Sequence, residues 1–564
     1  MHKNNRLRLS LIFVLFAGLF VLSLSRLIYL QLIKNDSLSD IARKQHNLHM
    51  ALLPRRGSIR DRNMRPLAMS YDVYSAYADS RSIKDKEKVA QELSTLLGMD
   101  EEFLLKRLKR DKDFVWIKRK LDSDTTKNIE ETKPKGIHLI REEKRFYPRT
   151  SLASHIIGFV NIDNDGMEGL ELYYDDSLSG KQGYKNVLRD ARGKAIDARV
   201  DAYLPSVDGH DLVLTIDEVI QYITERELSK AVTQYNAKGG SVVVMDPVTG
   251  QILAMANLPM YDLAEAGNSP PDARRNRAIT DMLEPGSAFK IVTASTALEL
   301  EIVDFDDKIF CENGAYKVGS HILHDHKPHG TLTFKKVIEK SSNIGTVKVA
   351  QEIGNEKLYE YIKAFGFGET TGIDLRGEIP GLIRPPEKWS KISISAVPIG
   401  QEVGVTPLQL ACAVSVIANG GSLMRPYVVK EIRDQKGELI RSFEPEVVRQ
   451  VISAETAGKM RRLLGGVVTS GTGKKAAVKG YEVGGKTGTA QKVMENGAYS
   501  HSAFMASFIG FGPVEEPKLV IAVCVDEPRP VYYGGSVAAP IFSRVMKDVL
   551  RYLEASPGDA RKVV

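Results

Sequence analysis

Ser241-Val242-Val243-Val244-Met245-Asp246-Pro247-Val248-Thr249-Gly250-Gln251-Ile252-Leu253-Ala254-Met255-Ala256 reads as two strands joined by a turn. Ser241 to Met245 and Gln251 to Ala256 are rich in β-formers, and Asp246 to Gly250 puts Pro and Gly where a turn needs them. Upstream, Asp217 can cap a helix whose apolar residues Val219, Ile220, Ile223, Leu228 and Val232 recur at roughly helical spacing. Downstream comes a long helical middle. Within it Thr406-Pro407-Leu408-Gln409 forms a capping box with proline at the first helical position, and Asn419-Gly420-Gly421 supplies the stop. Three further strands are expected at Tyr481 to Gln491, Phe504 to Phe511 and Leu519 to Val525, then a terminal helix from about Val537 to Ala555. Two strands, a helical insertion and three strands, flanked by helices, describe an α/β (α+β) domain with one sheet covered by helices.

The chain is 564 residues long, too long for one typical core, so two or more domains are expected. An apolar fraction of 43% and a charged fraction of 26% are those of a folded protein. The net charge of +7 is spread along the chain, a mild bias rather than a nucleic-acid footprint. The three cysteines, Cys311, Cys412 and Cys524, lie far apart without a C-x-x-C, which excludes a disulfide framework or a cysteine zinc site and leaves them as buried apolar residues.

Leu9 to Ser25 carries no charge, and after Arg26 the apolar pattern resumes from Leu27 to Leu30. The uncharged run alone makes roughly 25 Å of helix, and the next turn or two brings it to bilayer thickness. No small-x-small cleavage site follows Leu24, so an uncleaved anchor over 9–33 is preferred to a signal peptide. Lys3, Arg6 and Arg8 precede the run and are retained in the cytoplasm, which makes 1–8 a cytoplasmic tail and places the rest of this single-pass chain outside the cytoplasmic (inner) membrane, periplasmic or extracellular.

The segment 47–205 has helical stretches such as Lys86 to Leu97 and Glu101 to Leu108 but no catalytic cluster. Chemistry is expected in 210–555, with 556–564 as a tail. There Pro285-Gly286-Ser287-Ala288-Phe289-Lys290 precedes the helical pattern Ile291, Val292, Ala294, Ala297 and Leu298, so Ser287 sits near a helix start with the Lys290 amine on its face. Ser341-Ser342-Asn343 and, on a strand candidate, Lys486-Thr487-Gly488-Thr489 follow in order. Acyl transfer needs a nucleophile, a base, a proton donor for the leaving amine and donors for the oxyanion. Lys486, Thr487 and Thr489 would offer a cation and hydroxyls to a carboxylate, and Gly484, Gly485 and Gly488 would let an extended peptide lie along the sheet edge. Of Lys290 and Lys486, repulsion and desolvation should drive one amine towards neutrality.

These motifs closely resemble those of the class B penicillin-binding proteins. Arg56-Gly57-Ser58-Ile59-Arg60-Asp61-Arg62-Asn63, Arg145-Phe146-Tyr147-Pro148 and Gly166-Met167-Glu168-Gly169-Leu170-Glu171 look like the family's pedestal motifs, which β-lactamases lack. Tyr532-Tyr533-Gly534-Gly535-Ser536-Val537-Ala538-Ala539-Pro540-Ile541-Phe542 resembles the division branch, the FtsI family. The resemblance implies an N-terminal transmembrane helix, an elongated non-catalytic pedestal (dimerisation-type) domain and a transpeptidase domain with a five-stranded, mainly antiparallel sheet. It implies Ser287 as nucleophile, Lys290 as base, Ser341 as proton relay and Asn343 as ligand of a substrate amide. Lys486, Thr487, Gly488 and Thr489 would bind the terminal carboxylate of a D-Ala-D-Ala stem, and the backbone N–H groups of Ser287 and Thr489 would form the oxyanion hole. The implied activity is peptidoglycan D,D-transpeptidation in septal wall synthesis, with D-Ala-D-Ala carboxypeptidase side activity and no cofactor. Lipid II-derived glycan strands and their stem peptides would be substrates, a membrane glycan polymerase and division proteins partners, and β-lactams covalent inhibitors. An elongation-specific transpeptidase and a β-lactam-hydrolysing or β-lactam-sensing relative remain as alternatives. His321, His324, Asp325, His326 and His329 are dense enough to suggest a metal, but they match the loop before the Ser341 motif in the family, and no metal is expected. Pro398-Ile399-Gly400-Gln401-Glu402 departs from the family's usual pattern, which bears on local loop shape.

Overall fold

The computed structural model describes residues 2–35, 47–110, 112–189, 195–319, 321–494 and 498–555. The tail expected at 556–564 lies outside the described residues. The chain divides into two units, residues 1–55 with 180–209, and residues 56–179 with 210–564.

In the first unit the helix His2–Ile28 runs on into a π-helical turn, Tyr29–Ile33. The stretch Asn5–Ile33 has a mean hydropathy of 2.4 and none of it is buried, so by length and composition it can cross a membrane. The same unit holds a three-stranded antiparallel sheet in which Gly183–Arg189 pairs with Asn47–Leu52 and with Ala195–Leu204.

In the second unit, residues 56–179 build on the long strand Pro66–Ala78, paired antiparallel with Ile137–Phe146. The helices Lys86–Leu97 and Glu101–Leu108 stand where the sequence predicts them, each started by an aspartate, Asp85 or Asp100, that accepts a backbone N–H. Leu93, Leu104, Ile117 and Ile129 form a small core beneath them. The three motif segments quoted above meet in one buried ion network. Glu171, fully buried, pairs with Arg56 at 2.7 Å and with Arg145 at 2.7 Å, and Arg56 also reaches Asp175 at 2.7 Å. Arg145 further donates to the Gly57 carbonyl at 2.7 Å. Asp61 accepts from Asn63 N and Arg65 N, both at 2.8 Å, and from Glu218 N at 3.2 Å, joining this region to the next.

A seven-stranded sheet draws on both sides of the break at 205–210. Asp211–Leu214 pairs parallel with Ile59–Arg60 and antiparallel with Val429–Arg433, whose other edge carries Leu439–Ser442. These last two strands come from the middle that the sequence reads as helical. They are short and half polar, so their pairing is set by the partner strand rather than by their own pattern.

The second sheet has five antiparallel strands: β1 (Gly239–Met245), β2 (Ile252–Leu258), β3 (Gly484–Val493), β4 (Tyr499–Gly512) and β5 (Leu519–Asp526), in the order β2-β1-β5-β4-β3. β4 starts five residues before the predicted Phe504, because Tyr499 still pairs with Val493 although Ser500, His501 and Ser502 carry no hydrophobic signal. β3 starts at Gly484 rather than Tyr481, which is held in a bridge with Val478. Side chains of β1 alternate between two cores. Val242 and Val244 face α1 (Glu218–Gln234), capped by Asp217 as predicted, and the terminal helix, which starts at Gly534. Val243 and Met245 face the larger cluster that holds the interior helices. All three cysteines are buried and free, as predicted.

Replacing Glu171 by alanine leaves two buried guanidinium groups without their shared carboxylate. Urea unfolding of Glu171→Ala should show a loss of about 3–5 kcal/mol; a loss below about 1 kcal/mol would mean that the network does not hold this region together.

Candidate active site

Ser287 lies in a single 3₁₀ turn, Gly286–Phe289, that leads directly into α2 (Lys290–Glu299). In a 3₁₀ turn residues three apart eclipse one another, so Ser287 and Lys290 share a face. The turn is wedged between two backbones. A Cβ at Gly286, whose φ is +52°, would come within 2.9 Å of the Thr489 carbonyl, one at Gly488 within 2.6 Å of the Pro285 carbonyl, and one at Gly400 within 2.1 Å of the Gly286 carbonyl. Gly286 N donates to Gly400 O at 3.1 Å. The Pro398–Glu402 loop is thus the outer support of the turn, and β3 the inner one.

Gly484 and Gly485 act differently from the reading given above. Both are buried, and a Cβ on either would strike the Phe511 or the Phe508 ring at 2.7 Å. They make room for the protein's own core, not for an approaching peptide. β3 is nevertheless the free edge of its sheet.

The helix α3 (Phe334–Lys340) ends on Ser341 in the left-handed conformation, φ 61° and ψ 40°, and Ser342 then caps α4 (Asn343–Ile353) by accepting from Gly345 N at 3.0 Å. Asp325 clamps this junction. Its carboxylate accepts from Asn343 N at 2.5 Å, Ile344 N at 3.0 Å and Ser342 Oγ at 2.7 Å, an anion at a helix N-terminus. The sequence alone places Asp325 only in the histidine-rich loop, because nothing local tells which helix start a lone aspartate will meet. His321 and His324 lie on an exposed hairpin strand, and His326 packs its ring 5.5 Å from that of Tyr533. Among the described residues no three His, Cys, Asp or Glu side chains converge as metal ligands.

Two amines meet at Ser341. Lys290 Nζ donates to Ser341 O at 2.7 Å, to Asn343 Oδ1 at 2.7 Å and to Ser341 Oγ at 3.2 Å. Lys486 Nζ donates to the same Ser341 Oγ at 2.9 Å and to Thr487 O at 3.2 Å. Both lysines are fully buried. Burial, and then the charge of Lys486, hold the Lys290 amine well below its ordinary value, with Asp325 pulling weakly the other way. Burial alone brings Lys486 down to about 7. The residues of β3 that line the cleft are instead the buried Thr487 and the half-buried Thr489. The Thr487 hydroxyl lies 3.0 Å from that of Thr472, and Thr489 Oγ1 accepts from Gly534 N at 3.0 Å.

Ser287, Ser341, Asn343, Thr487 and Thr489 line one cleft of about 910 Å³. Glu284, a carboxyl group that no local sequence signal marks, also lines it. Its Oε1 accepts from Glu402 N at 2.9 Å and Tyr499 OH at 3.0 Å, and burial raises it above the usual carboxylate range. A tight cleft with a half-buried serine, two buried amines and a second serine between them can perform acyl transfer.

The penicillin binding protein transpeptidase domain family matches residues 240–547, and the penicillin-binding protein dimerisation domain family matches residues 51–214. The chain belongs to the class B penicillin-binding protein transpeptidases. This class B protein is 38% identical over 565 residues to stage V sporulation protein D of Bacillus subtilis, covering 98% of this chain and 87% of that one. It is 33% identical over 561 residues to the peptidoglycan D,D-transpeptidase FtsI of Escherichia coli, covering 97% and 92%. Among solved structures, penicillin-binding protein 3 of Mycobacterium tuberculosis in complex with aztreonam matches with a TM-score of 0.71 at 28% identity, covering 90% of this chain and 98% of that one.

Two outcomes follow for this class B site. Asp325→Ala leaves two backbone N–H groups and the Ser342 hydroxyl without their acceptor; it should cost about 2 kcal/mol in thermal unfolding and slow penicillin labelling, and unchanged labelling would show that the clamp is dispensable. Between pH 7 and the ordinary amine value of 10.5 the unfolded chain binds a proton at Lys486 that the folded chain does not, so stability rises with pH across that window. The unfolding free energy of the wild type relative to Lys486→Met should therefore increase from pH 7 to pH 9 in urea titrations, by about 1 kcal/mol per pH unit; a flat difference would mean that Lys486 titrates normally.

Proposed function

We propose that the chain is a serine-type peptidoglycan D,D-transpeptidase acting through an acyl-enzyme on Ser287. What supports this is the meeting of Lys290 and Lys486 on the Ser341 hydroxyl, at 3.2 and 2.9 Å, beside the turn that carries Ser287. A neutral Lys290 has two hydrogens, enough for its two 2.7 Å acceptors, Ser341 O and Asn343 Oδ1, and keeps a lone pair for a proton. Burial and the neighbouring charge favour that neutral form.

In the proposed reaction Ser287 Oγ attacks the carbonyl of the penultimate D-alanine of a donor stem, and its proton passes to Lys290. The backbone N–H groups of Ser287 and Thr489 hold the oxyanion, a contribution of about 10²–10³ in rate for each such donor. Thr487 and Thr489 bind the terminal carboxylate over the buried Lys486, and Asn343 binds a stem amide. Collapse breaks the peptide bond, Ser341 relays the proton to the leaving nitrogen, and D-alanine departs. An acceptor amine then attacks the ester, a peptide bond forms, and the proton returns to Ser287. Water in place of the amine gives the carboxypeptidase side reaction.

β-Lactams would acylate Ser287 and deacylate slowly: Asp325 is held at the start of α4, and Glu284 is tied through Oε1 to Glu402 N and Tyr499 OH, with Oε2 buried and without a partner among the described residues. The apolar N-terminal helix, preceded by Lys3, Arg6 and Arg8, supports a single-pass anchor with the catalytic domain outside and a membrane glycan polymerase as partner. The Tyr532–Phe542 stretch and the likeness to FtsI favour a septal role; the 38% identity to a stage V sporulation protein favours a second reading, wall synthesis during sporulation.

Mass spectrometry of penicillin-treated protein should find an adduct on the peptide containing Ser287 that lasts many minutes. Lys290→Arg and Ser287→Ala should carry none, while Ser287→Ala still co-purifies with its membrane partner. An adduct elsewhere, or turnover within seconds, would refute the serine transpeptidase reading. Depletion should give filaments for the septal role, and normal vegetative cells that fail to form spores for the sporulation role.

A further inference from the structure

The mouth of the active-site cleft is cationic beyond what one terminal carboxylate requires. Lys327, Lys340, Lys474 and Lys475 all line it, and all four are exposed. None of the four has a carboxylate partner among the described residues, whereas Lys336, Lys348, Lys363 and Lys492 each pair with a glutamate or aspartate. The two acidic residues that line the same cleft do not offset them. Asp325 is spent on the start of α4, and Glu284 faces Glu402 and Tyr499.

The lysines are placed around the reacting end. Lys340 precedes Ser341, and Lys327 lies two residues past Asp325. Lys474 and Lys475 follow Thr472, whose hydroxyl touches that of Thr487. The buried Lys486 lies under that threonine, so the four surface lysines are additional charge. Like charges gathered at one mouth repel one another until an anion joins them, and they raise the local concentration of anionic ligands. A donor stem brings such anions. In a stem whose second residue is a D-glutamate linked through its γ-carboxyl, an α-carboxylate remains that is either free or capped as an amide.

We propose that the Lys327, Lys340, Lys474 and Lys475 mouth makes the enzyme select donor strands whose stem peptides keep this second-residue carboxylate free, over strands in which it is amidated. The proposal rests on the transpeptidase reading above and adds a specificity to it. Exposed charge pairs are individually weak, so the expected preference in kcat/KM is about fivefold, from two or more lysines acting together.

The test uses the full-length, detergent-solubilised chain and polymerised glycan strands bearing L-Ala-γ-D-Glu-L-Lys-D-Ala-D-Ala stems, with the second-residue α-carboxyl free or amidated. D-Alanine release gives kcat/KM for each. The free-to-amidated ratio should be about fivefold near 0.15 M salt, where the screening length is about 8 Å, and should shrink in 0.5 M salt. In Lys474→Gln/Lys475→Gln it should fall towards 1. A ratio of 1 or less in the wild type, with Ser287 still taking penicillin, would overturn the proposal and leave the transpeptidase reading standing. A wild-type preference that neither salt nor the double variant reduces would also overturn it. Failure of both strands to react, with no penicillin adduct on Ser287, would remove the transpeptidase reading and the proposal together.

Discussion

Two lysine amines share one serine hydroxyl in the interior of this protein, and the catalytic half of the chain is arranged to make that possible. Bringing two cations out of water to the same acceptor is unfavourable unless one of them gives up its proton. The fold supplies the acceptors: the carbonyl of the left-handed Ser341 and the Asn343 side chain take the two hydrogens of a neutral Lys290, and the Thr487 carbonyl accepts from Lys486. Each comes from a different place in the chain, the end of α3, the start of α4 and the edge strand β3. Holding them together requires the Asp325 clamp and the close backbone contact of Gly286, Gly400 and Gly488, where any side chain would force the turn away from the strand.

The same chain uses buried charge in the opposite way further from the cleft. Around Glu171 the charges are of opposite sign, and the buried carboxylate is shared by two guanidinium groups, each at 2.7 Å. There the three pedestal motifs are cross-linked, and the outcome is rigidity. At Ser341 two like charges meet, and the outcome is a Lys290 amine held well below its ordinary value. The contrast explains why one cluster reads as architecture and the other as chemistry, although both are built from buried ionisable side chains.

Much of this was legible in the residues. The strand pair around Asp246–Gly250, the three later strands, the Asp217 and Thr406 caps and the terminal helix all stand close to where local pattern puts them. Such signals are local: a cap bonds a residue three positions away, and a hydrophobic alternation reports its own strand. The misses have a common cause. The polar start of β4, the strands at 429–442, the packing role of Gly484 and Gly485, and the carboxyl groups of Asp325 and Glu284 all depend on a partner far away in the chain.

Residue order and type alone were enough to give the class of fold, the family, and the serines, lysines, asparagine and threonines of the candidate site, because motif spacing and periodicity are written along the chain. Only the folded chain could decide that Lys486 lies under the cleft floor rather than on its surface, that Ser341 is the meeting point of both amines, and that four lysines with no carboxylate partner among the described residues gather at the mouth. Depth of burial and the distance between charges are properties of the three-dimensional arrangement, and they set which amines lose their protons and which remain available to an anion.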